Sequence, residues 1–319
     1  MSSGQQNVHG PPYAPTVALL GLTPTATVDI PISAVLIAFF LCSAVTNFTI
    51  FRRNQARGHK FVLSMLLFGF SMARTAALVL RIVWAERLTN ASLAIAANIL
   101  SSAGTVILFI LNLILAQRIL RSLHPRFGWR RAPSMAFIFL YACVVACLIM
   151  VIVPTVLTFY TLDSSVRQKA RQIQLFSGTY LALLAFLPIP IVGLAAAFPK
   201  STKAEPFGSG SLRTKMVLVL ATAALLTLGA GFRIGVNFMA PRLASNPAWY
   251  HQKACYYVFN YVLEIIVVYS YMLSRFDRRF HVPDGAKGPG DYAAGFAMQH
   301  AESQATDRFN DVDVEKTNS

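Results

Sequence analysis

Charge is scarce in this sequence, and acidic charge is the scarcest. Only 13% of the 319 residues are charged, with 13 Asp and Glu against 28 Lys and Arg, while 55% are hydrophobic. Soluble domains carry about 25% charged residues. The composition therefore excludes an ordinary soluble domain and predicts an all-α, multi-pass membrane protein. The bases lie in short loops between apolar runs, which favours membrane topology over nucleic-acid binding.

Cysteine and histidine are also few, and their positions exclude most site chemistry. Cys42, Cys143 and Cys147 fall inside apolar runs and Cys255 lies near the outer end of another. No pair of them predicts a disulfide or a metal site. The six histidines lie outside the apolar runs or at their edges, and the last run has Glu264 where a retinal-binding lysine would stand. We expect no catalytic residue, no metal, no cofactor and no enzymatic activity.

Seven apolar stretches are long enough to cross a bilayer as helices, which takes about 20 residues. They predict a seven-transmembrane helix bundle over residues 30–275. The leader, residues 1–29, lacks the basic start of a cleavable signal peptide. This leader and a polar, acidic tail over residues 276–319 are expected to be disordered. The spans are predicted at about 31–51, 61–84, 93–117, 134–160, 172–198, 214–240 and 252–274.

The distribution of Lys and Arg between the loops predicts the orientation. Loops 1, 3 and 5 and the start of the tail hold four, five, four and three bases, whereas the loops on the other side hold five in all. Because positive loops stay in the cytosol, we expect the N-terminus outside and the C-terminus in the cytosol. The sequon at Asn90 then lies outside, where Asn90 can carry a glycan. The sequon at Asn47 lies within the first span and is expected to be silent.

Polar residues in four spans are spaced so that each set shares one helix face. Charged groups at membrane depth are costly and usually face protein or water. We expect the four faces to point inward and form one polar seam. Its members are Arg74 and Arg81 in span 2, Asn98, Thr105 and Asn112 in span 3, Arg233 and Asn237 in span 6, and Asn260 and Glu264 in span 7.

Glu264 is the only acid within the predicted spans, so we expect it to pair with Arg74, with Arg233 as the alternative partner. Arg81 can instead extend to the outer interface. Three arginines against one glutamate leave two positive charges in the seam. The seam either holds the bundle together, or binds an anionic ligand or lipid headgroup, or carries protons or ions past Glu264.

Five arginines within fourteen residues mark the exit of span 3. They predict contact with anionic lipid of the cytosolic leaflet, at about 1 kcal/mol per base, or with a cytosolic partner such as a heterotrimeric G protein. These residues are Arg118, Arg121, Arg126, Arg130 and Arg131.

Residues 112–125, NLILAQRILRSLHP, followed by Gly128 and Trp129, carry a family resemblance. They resemble a fungal family of seven-span integral membrane proteins of unknown function, some of which are named as family-C-like G-protein-coupled receptors. The resemblance covers most of the seven-span region. It implies a fungal source and a seven-helix bundle, but no established activity.

The favoured hypothesis is a receptor-like protein that binds a lipid or small anionic ligand through the seam. A transporter or lipid translocator using the same polar interior is one alternative, and a structural membrane protein is another. Pro188 and Pro190 in span 5 suit a transporter, yet the chain has no evident inverted repeat. The plasma membrane is the default location, with an internal membrane as the alternative.

Overall fold

The structure is a computed structural model that describes residues 10–13, 17–58, 61–198 and 204–297. It contains, within these residues, seven helices that are long and apolar enough to cross a membrane. Those residues contain helices and one isolated β-bridge, and no strand. The predicted all-α, seven-helix fold is confirmed, and the chain is a multi-pass membrane protein. The helices are α1 Ala26–Ala56, α2 Val62–Glu86, α3 Ala91–Leu123, α4 Arg131–Tyr160, α5 Ser164–Ala197, α6 Leu212–Phe238 and α7 Lys253–Leu273.

Helix α3 is the centre of the bundle. Leu108, Leu111, Leu115 and Ile119, all in its second half, are fully buried. Helix α4, in contrast, exposes large apolar side chains such as Phe139 along much of its length. Apolar surface of this kind suits contact with lipid tails, so α4 lies at the edge of the bundle and α3 in the middle.

Three of the helices are irregular. Helix α3 is interrupted at Thr105, and α5 at Leu187, directly before Pro188, which lacks a backbone N–H. Helix α7 contains a π-helical turn at Val258–Val262. Such turns are rare in proteins, and those that occur are often found at functional sites. The irregular segments of α3 and α7 both border the site described below.

The N-terminal segment from residue 17 onward is ordered, which corrects the disordered leader predicted over residues 1–29. The Ala18 N–H donates to the Arg242 carbonyl oxygen (2.8 Å), and the Gly21 N–H donates to that of His251 (2.9 Å). Gly21 has a φ of +85°, and a Cβ there would lie 2.6 Å from the Tyr256 ring. This close approach explains the packing of the segment on α7. Residues 1–9 and 14–16 lie outside the described residues.

The chain after α7 is ordered as well, which corrects the disordered tail predicted from residue 276. Phe276, Phe280 and Tyr292 are buried, since they pack against the bundle end where α3 finishes. The Gly290 N–H donates to Glu205 Oε1 at 2.7 Å. These contacts fix residues 276–297, and the predicted tail beyond them, 298–319, lies outside the described residues.

Helix α5 begins eight residues before the predicted start at residue 172. Asp163 is its N-cap, and the side chain accepts a hydrogen bond from the Ser165 N–H at 2.8 Å. An N-cap of this kind satisfies a free donor of the first turn. The segment predicted as a loop therefore adds two helical turns, which carry Arg167 and Arg171.

Candidate functional site

The predicted pair of Arg74 and Glu264 is confirmed. Both side chains are buried, at 0% and 2% exposure. Arg74 binds the carboxylate with two hydrogen bonds, Nε to Oε2 at 2.6 Å and Nη2 to Oε1 at 2.5 Å. Thr105 donates to the same Oε1 at 2.8 Å and accepts from Arg74 Nη2. This charge-assisted, two-pronged pair ties α2, α3 and α7 together.

Arg74 also explains the interruption of α3. Its Nη1 donates to the carbonyl oxygen of Ser101 at 2.5 Å, an oxygen that would accept from the Thr105 N–H in a continuous helix. Gly104 gives the guanidinium room, because a Cβ there would lie 3.2 Å from Nη1. The arginine thus takes the place of a helical donor and loosens one turn of α3.

Arg233 shares the same carboxylate from the other side. Its Nη1 lies 3.7 Å from Glu264 Oε1 and donates to Thr105 Oγ1 and to Asn260 Oδ1, both at 3.2 Å. The side chain is 20% exposed. The alternative partner predicted for Glu264 is therefore a second, more distant partner. Two arginines on one glutamate leave this cluster with a net positive charge.

Arg81 does not extend to the outer interface, which corrects one prediction for this residue. It is buried and binds Asp29 at 2.8 Å, and its Nη2 donates to the Gly21 carbonyl oxygen at 2.7 Å. Lys253 Nζ lies 2.5 Å from Asp29 Oδ2, and the Tyr257 hydroxyl donates to Oδ1 at 2.7 Å. This second cluster joins α1, α2 and α7 to the N-terminal segment.

Sequence reasoning missed Asp29, a member of this second cluster. It was placed in the leader, two residues before the predicted first span, whereas it lies in the first turn of α1 and is fully buried. Glu264 is therefore not the only acid in the helices. The sequence did contain a signal for it. Asp29 is a single acid at the edge of a long apolar run, and the next apolar run contains Arg81 as a partner.

Asn112 belongs to a third polar layer, deeper in the bundle. Its Oδ1 accepts from the Tyr271 hydroxyl at 2.6 Å and from Thr222 Oγ1 at 3.2 Å. All three side chains are buried. The layer links α3, α6 and α7, and it serves the packing of the bundle.

A cavity of about 470 Å³ lies between α3, α4, α5, α6 and the start of α7. It runs from the end of the bundle where α4 and α6 finish to Phe109, near the middle of α3. The cavity divides the predicted seam into two groups. The seam residues that line it are Asn98, Thr105, Arg233, Asn237 and Asn260, and those outside it are Arg74, Arg81, Asn112 and Glu264.

Two arginines of α5 that the sequence assigned to a loop also line the cavity. Arg167 Nε donates to the Thr161 carbonyl oxygen and Arg171 Nη2 to that of Met239, each at 2.8 Å. The described residues that form the wall include these two arginines, Arg233 and His251, but no Asp or Glu. The wall is therefore positively charged.

Much of the cavity wall is apolar. Phe109, Val151, Leu181 and Ile234 line its inner part, and Val17–Leu20 of the N-terminal segment lie across it near the bundle end. Cavities of about 300–1,000 Å³ with apolar walls and a few polar groups are typical of ligand sites. The shape fits a molecule with one anionic end and an apolar body.

The arginines at the exit of α3 separate into half-buried and exposed members. Arg118 Nη1 donates to the Phe280 carbonyl oxygen at 2.5 Å, and the Arg121 guanidinium lies 4.1 Å from the centre of the Trp129 ring. The chain after α7 packs over both residues and leaves them half-buried, where they line a second cavity. The members exposed to a partner or a lipid surface are Arg126, Arg130 and Arg131.

The predicted glycosylation sites and the cysteines lie outside the polar clusters described above. Asn90 is exposed and caps α3, because its Oδ1 accepts from the Ser92 N–H at 3.1 Å. Asn47 is fully buried within α1. The four cysteines are free thiols. The part of the chain described here contains no group of three or more His, Cys, Asp or Glu that could hold a metal ion.

The chain is similar to one family without a known function. Residues 125–209 and 208–281 match the model of a family described as "Protein of unknown function (DUF3112)". The matched region runs from the end of α3 through α7, so it includes Arg233 and Glu264 but not Arg74. No curated protein and no solved structure matches the chain.

Proposed function

We propose that the protein is receptor-like and binds an anionic amphiphile, such as a lipid with a carboxylate or phosphate head, in the cavity between α3 and α7. One observation carries the proposal. Arg233 lines this cavity, shares its carboxylate with Arg74, and faces a wall in which no described residue is acidic. A guanidinium so placed is available to a ligand anion.

The chemistry of arginine supports an anionic head. A guanidinium is planar, keeps its charge, and binds carboxylate or phosphate with two parallel hydrogen bonds. Only Nη1 of Arg233 makes the contacts described above. Arg167 and Arg171 lie nearer the cavity mouth, where they attract an anion before it reaches Arg233.

The depth of the cavity favours binding over transport. Beyond Phe109 the bundle is closed by the layer of Asn112, Thr222 and Tyr271, and by the fully buried leucines of α3. A ligand in the cavity therefore reaches half-way through the bundle. A receptor of this kind holds its ligand against α6 and α7, whose relative position it can change.

A transporter or lipid translocator is the second candidate. The observation in its favour is the interruption of α5 at Leu187, before Pro188, beside the cavity-lining residues Leu181 and Ala182. Broken helices line the binding sites of many transporters. Vesicle assays that measure lipid movement between leaflets distinguish this candidate, because a receptor moves none.

The opposite end of the bundle is proposed to face the cytosol, since it carries the larger number of bases. Arg126, Arg130 and Arg131 are exposed there and suit anionic lipid or a cytosolic partner such as a heterotrimeric G protein. Their joint replacement by alanine should abolish the capture of a G-protein α subunit by the full chain. Capture that survives this replacement speaks against the surface.

The ligand proposal is tested with molecules that carry the same apolar chain but different head groups. Thermal unfolding of the purified protein in an uncharged detergent is measured with oleate, oleoyl lysophosphatidate and oleyl alcohol. We expect the two anions to raise Tm and the alcohol to have little effect. For the variant Arg233→Gln, the matched control is Arg87→Gln. Arg87 is exposed, lies outside the cavity wall and follows α2 at the same end of the bundle. Equal stabilisation by oleate and oleyl alcohol contradicts the anionic head.

A further inference from the structure

A second cavity, of about 300 Å³, lies at the other end of the bundle. Its inner wall is formed by Gln117, Arg118 and Arg121 in the last turns of α3. The chain after α7, residues 282–286 with Tyr292, covers it. The cavity is separated from the first by the buried second half of α3.

Close packing fixes the side wall. The short helix Pro125–Gly128 folds back on α3, and a Cβ on Gly128 would lie 2.8 Å from the Arg121 Cα. Only glycine allows this approach. Trp129 follows directly, so its ring lies over the Arg121 guanidinium at 4.1 Å and meets the Tyr292 ring edge-on at 5.6 Å.

The covering segment is held at several points. Arg118 Nη1 donates to the Phe280 carbonyl oxygen at 2.5 Å, and the Gly290 N–H donates to Glu205 Oε1 at 2.7 Å. Tyr292 is buried between Trp129 and Phe207. The cavity is therefore a built part of the fold, bordered by three separate stretches of chain.

The cavity wall is rich in hydrogen-bond donors. Within the described residues, neither Arg118 nor Arg121 forms an ion pair with a carboxylate. Trp129 Nε1 is buried and has no hydrogen-bond partner there. Tyr141 donates to Gln117 Oε1 at 3.2 Å, which leaves the amide nitrogen as the donor of that side chain. The one acid in the wall, Asp284, belongs to the covering segment and is exposed.

We infer that this second cavity binds a phosphate monoester, carried either by a lipid headgroup or by a soluble metabolite. A phosphate offers three acceptor oxygens and up to two negative charges, which match the two guanidiniums. The volume admits a phosphorylated headgroup without its acyl chains. The inference does not depend on the ligand proposed for the first cavity, because the two sites share no residue.

The fluorescence of Trp129 provides a local readout. The chain has three tryptophans, and replacing Trp84 and Trp249 with phenylalanine leaves Trp129 as the single reporter. The full chain in detergent is titrated with inositol 1,4,5-trisphosphate. In nanodiscs of phosphatidylcholine, it is compared with and without added phosphatidylinositol 4-phosphate. A saturable change with the lipid in nanodiscs indicates a headgroup, and a change with the soluble probe but not with the lipid indicates a soluble source. No saturable change with either probe overturns the inference.

Two arginine variants distinguish binding in the cavity from attraction to the charged surface. Arg121→Gln should weaken binding about tenfold or more, because a charged hydrogen-bond partner is lost. Arg126→Gln removes an equal charge from the exposed surface five residues away, and should change the affinity by no more than about twofold. Equal losses in both variants overturn the inference.

Asp284→Asn provides a second test that does not depend on the folding of the Arg121 variant. Asp284 is exposed, so its replacement leaves the packing intact. Removing this acid from the wall should tighten binding about two- to fivefold, since one repulsive charge near the phosphate is lost. Unchanged or weaker binding by Asp284→Asn contradicts the site.

Discussion

Arg74 and Arg233, from α2 and α6, approach the same oxygen of Glu264, at 2.5 and 3.7 Å. Arg74 is fully buried and holds both carboxylate oxygens, while Arg233 is partly exposed and lines the larger cavity. One carboxylate therefore has a structural partner on one side and a partner that faces a ligand space on the other. The first prediction concerns how the two arginines divide it.

Removal of the carboxylate should destabilise the bundle more than removal of Arg74. Glu264→Gln leaves the buried Arg74 and the partly exposed Arg233 without a counter-charge, whereas Arg74→Met leaves Glu264 with Arg233. Breaking a buried pair costs about 3–5 kcal/mol. We expect the lowest Tm and folded yield for Glu264→Gln, a smaller loss for Arg74→Met, and partial recovery in the double variant. A double variant no better than Glu264→Gln contradicts the pairing.

Asp29 should control the order of the N-terminal segment. Its carboxylate binds Arg81, Lys253 and the Tyr257 hydroxyl, and Arg81 in turn holds the Gly21 carbonyl oxygen. Asp29→Asn should therefore lower Tm and expose residues 17–25 to limited proteolysis. Asp163→Asn is the matched control, because an exposed N-cap tolerates asparagine with a change well under about 1 kcal/mol. Protection equal to that of the wild type contradicts the role of Asp29.

His251 should make stability depend on pH at the end of the bundle where the N-terminal segment packs. Burial, together with the nearby Arg242, holds the pKa of His251 below its ordinary value. An unfolded histidine titrates at about 6.5, so the unfolded state binds a proton first as the pH falls. The contribution of His251 to the free energy of unfolding is therefore complete above the unfolded pKa. It is lost as the pH falls through the lower pKa of the folded state.

The measurement is Tm as a function of pH for the wild type and His251→Gln. Between about pH 7 and pH 5 the wild type should lose more stability than the variant, because glutamine does not titrate. Two curves that fall in parallel contradict the assignment to this residue.

The sequon at Asn90 can be tested without disturbing the fold. Asn90 caps α3 through its side-chain oxygen, so Asn90→Gln would remove the glycan and the cap together. Ser92→Ala removes the sequon and keeps the cap. We expect endoglycosidase to shift the electrophoretic mobility of the wild type and not of Ser92→Ala. A wild type that shows no shift contradicts glycosylation of Asn90 and removes one support for the outer placement of this end.

The seven helices and the pairing of Arg74 with Glu264 followed from sequence because both rest on strong local signals. A charge inside an apolar run must find a partner, and few partners were available. Asp29 was missed because composition alone places a helix start only to within a few residues. Arg167 and Arg171 were missed for the same reason, since polar turns that extend a helix beyond the apolar run resemble a loop.

The division of the polar seam could not be predicted from spacing. Helical periodicity shows that Asn98, Thr105 and Asn112 share one face, but not which of them meets packed side chains and which meets a cavity. That outcome depends on the interruption of α3 at Thr105 and the π-helical turn of α7, which are set by contacts between helices. The ordered chain after α7 was missed for a similar reason, because its few aromatic residues become buried only against the assembled bundle.

The most direct test of the proposed function is the equilibrium affinity of the purified protein for oleoyl lysophosphatidate, compared between the wild type and Arg233→Gln. Because the anion loses a charged hydrogen-bond partner, the variant should bind about tenfold more weakly or worse. The Arg87→Gln control should keep the affinity of the wild type. If Arg233→Gln is folded and binds as tightly as the wild type, Arg233 does not hold the ligand head and the proposed site is wrong.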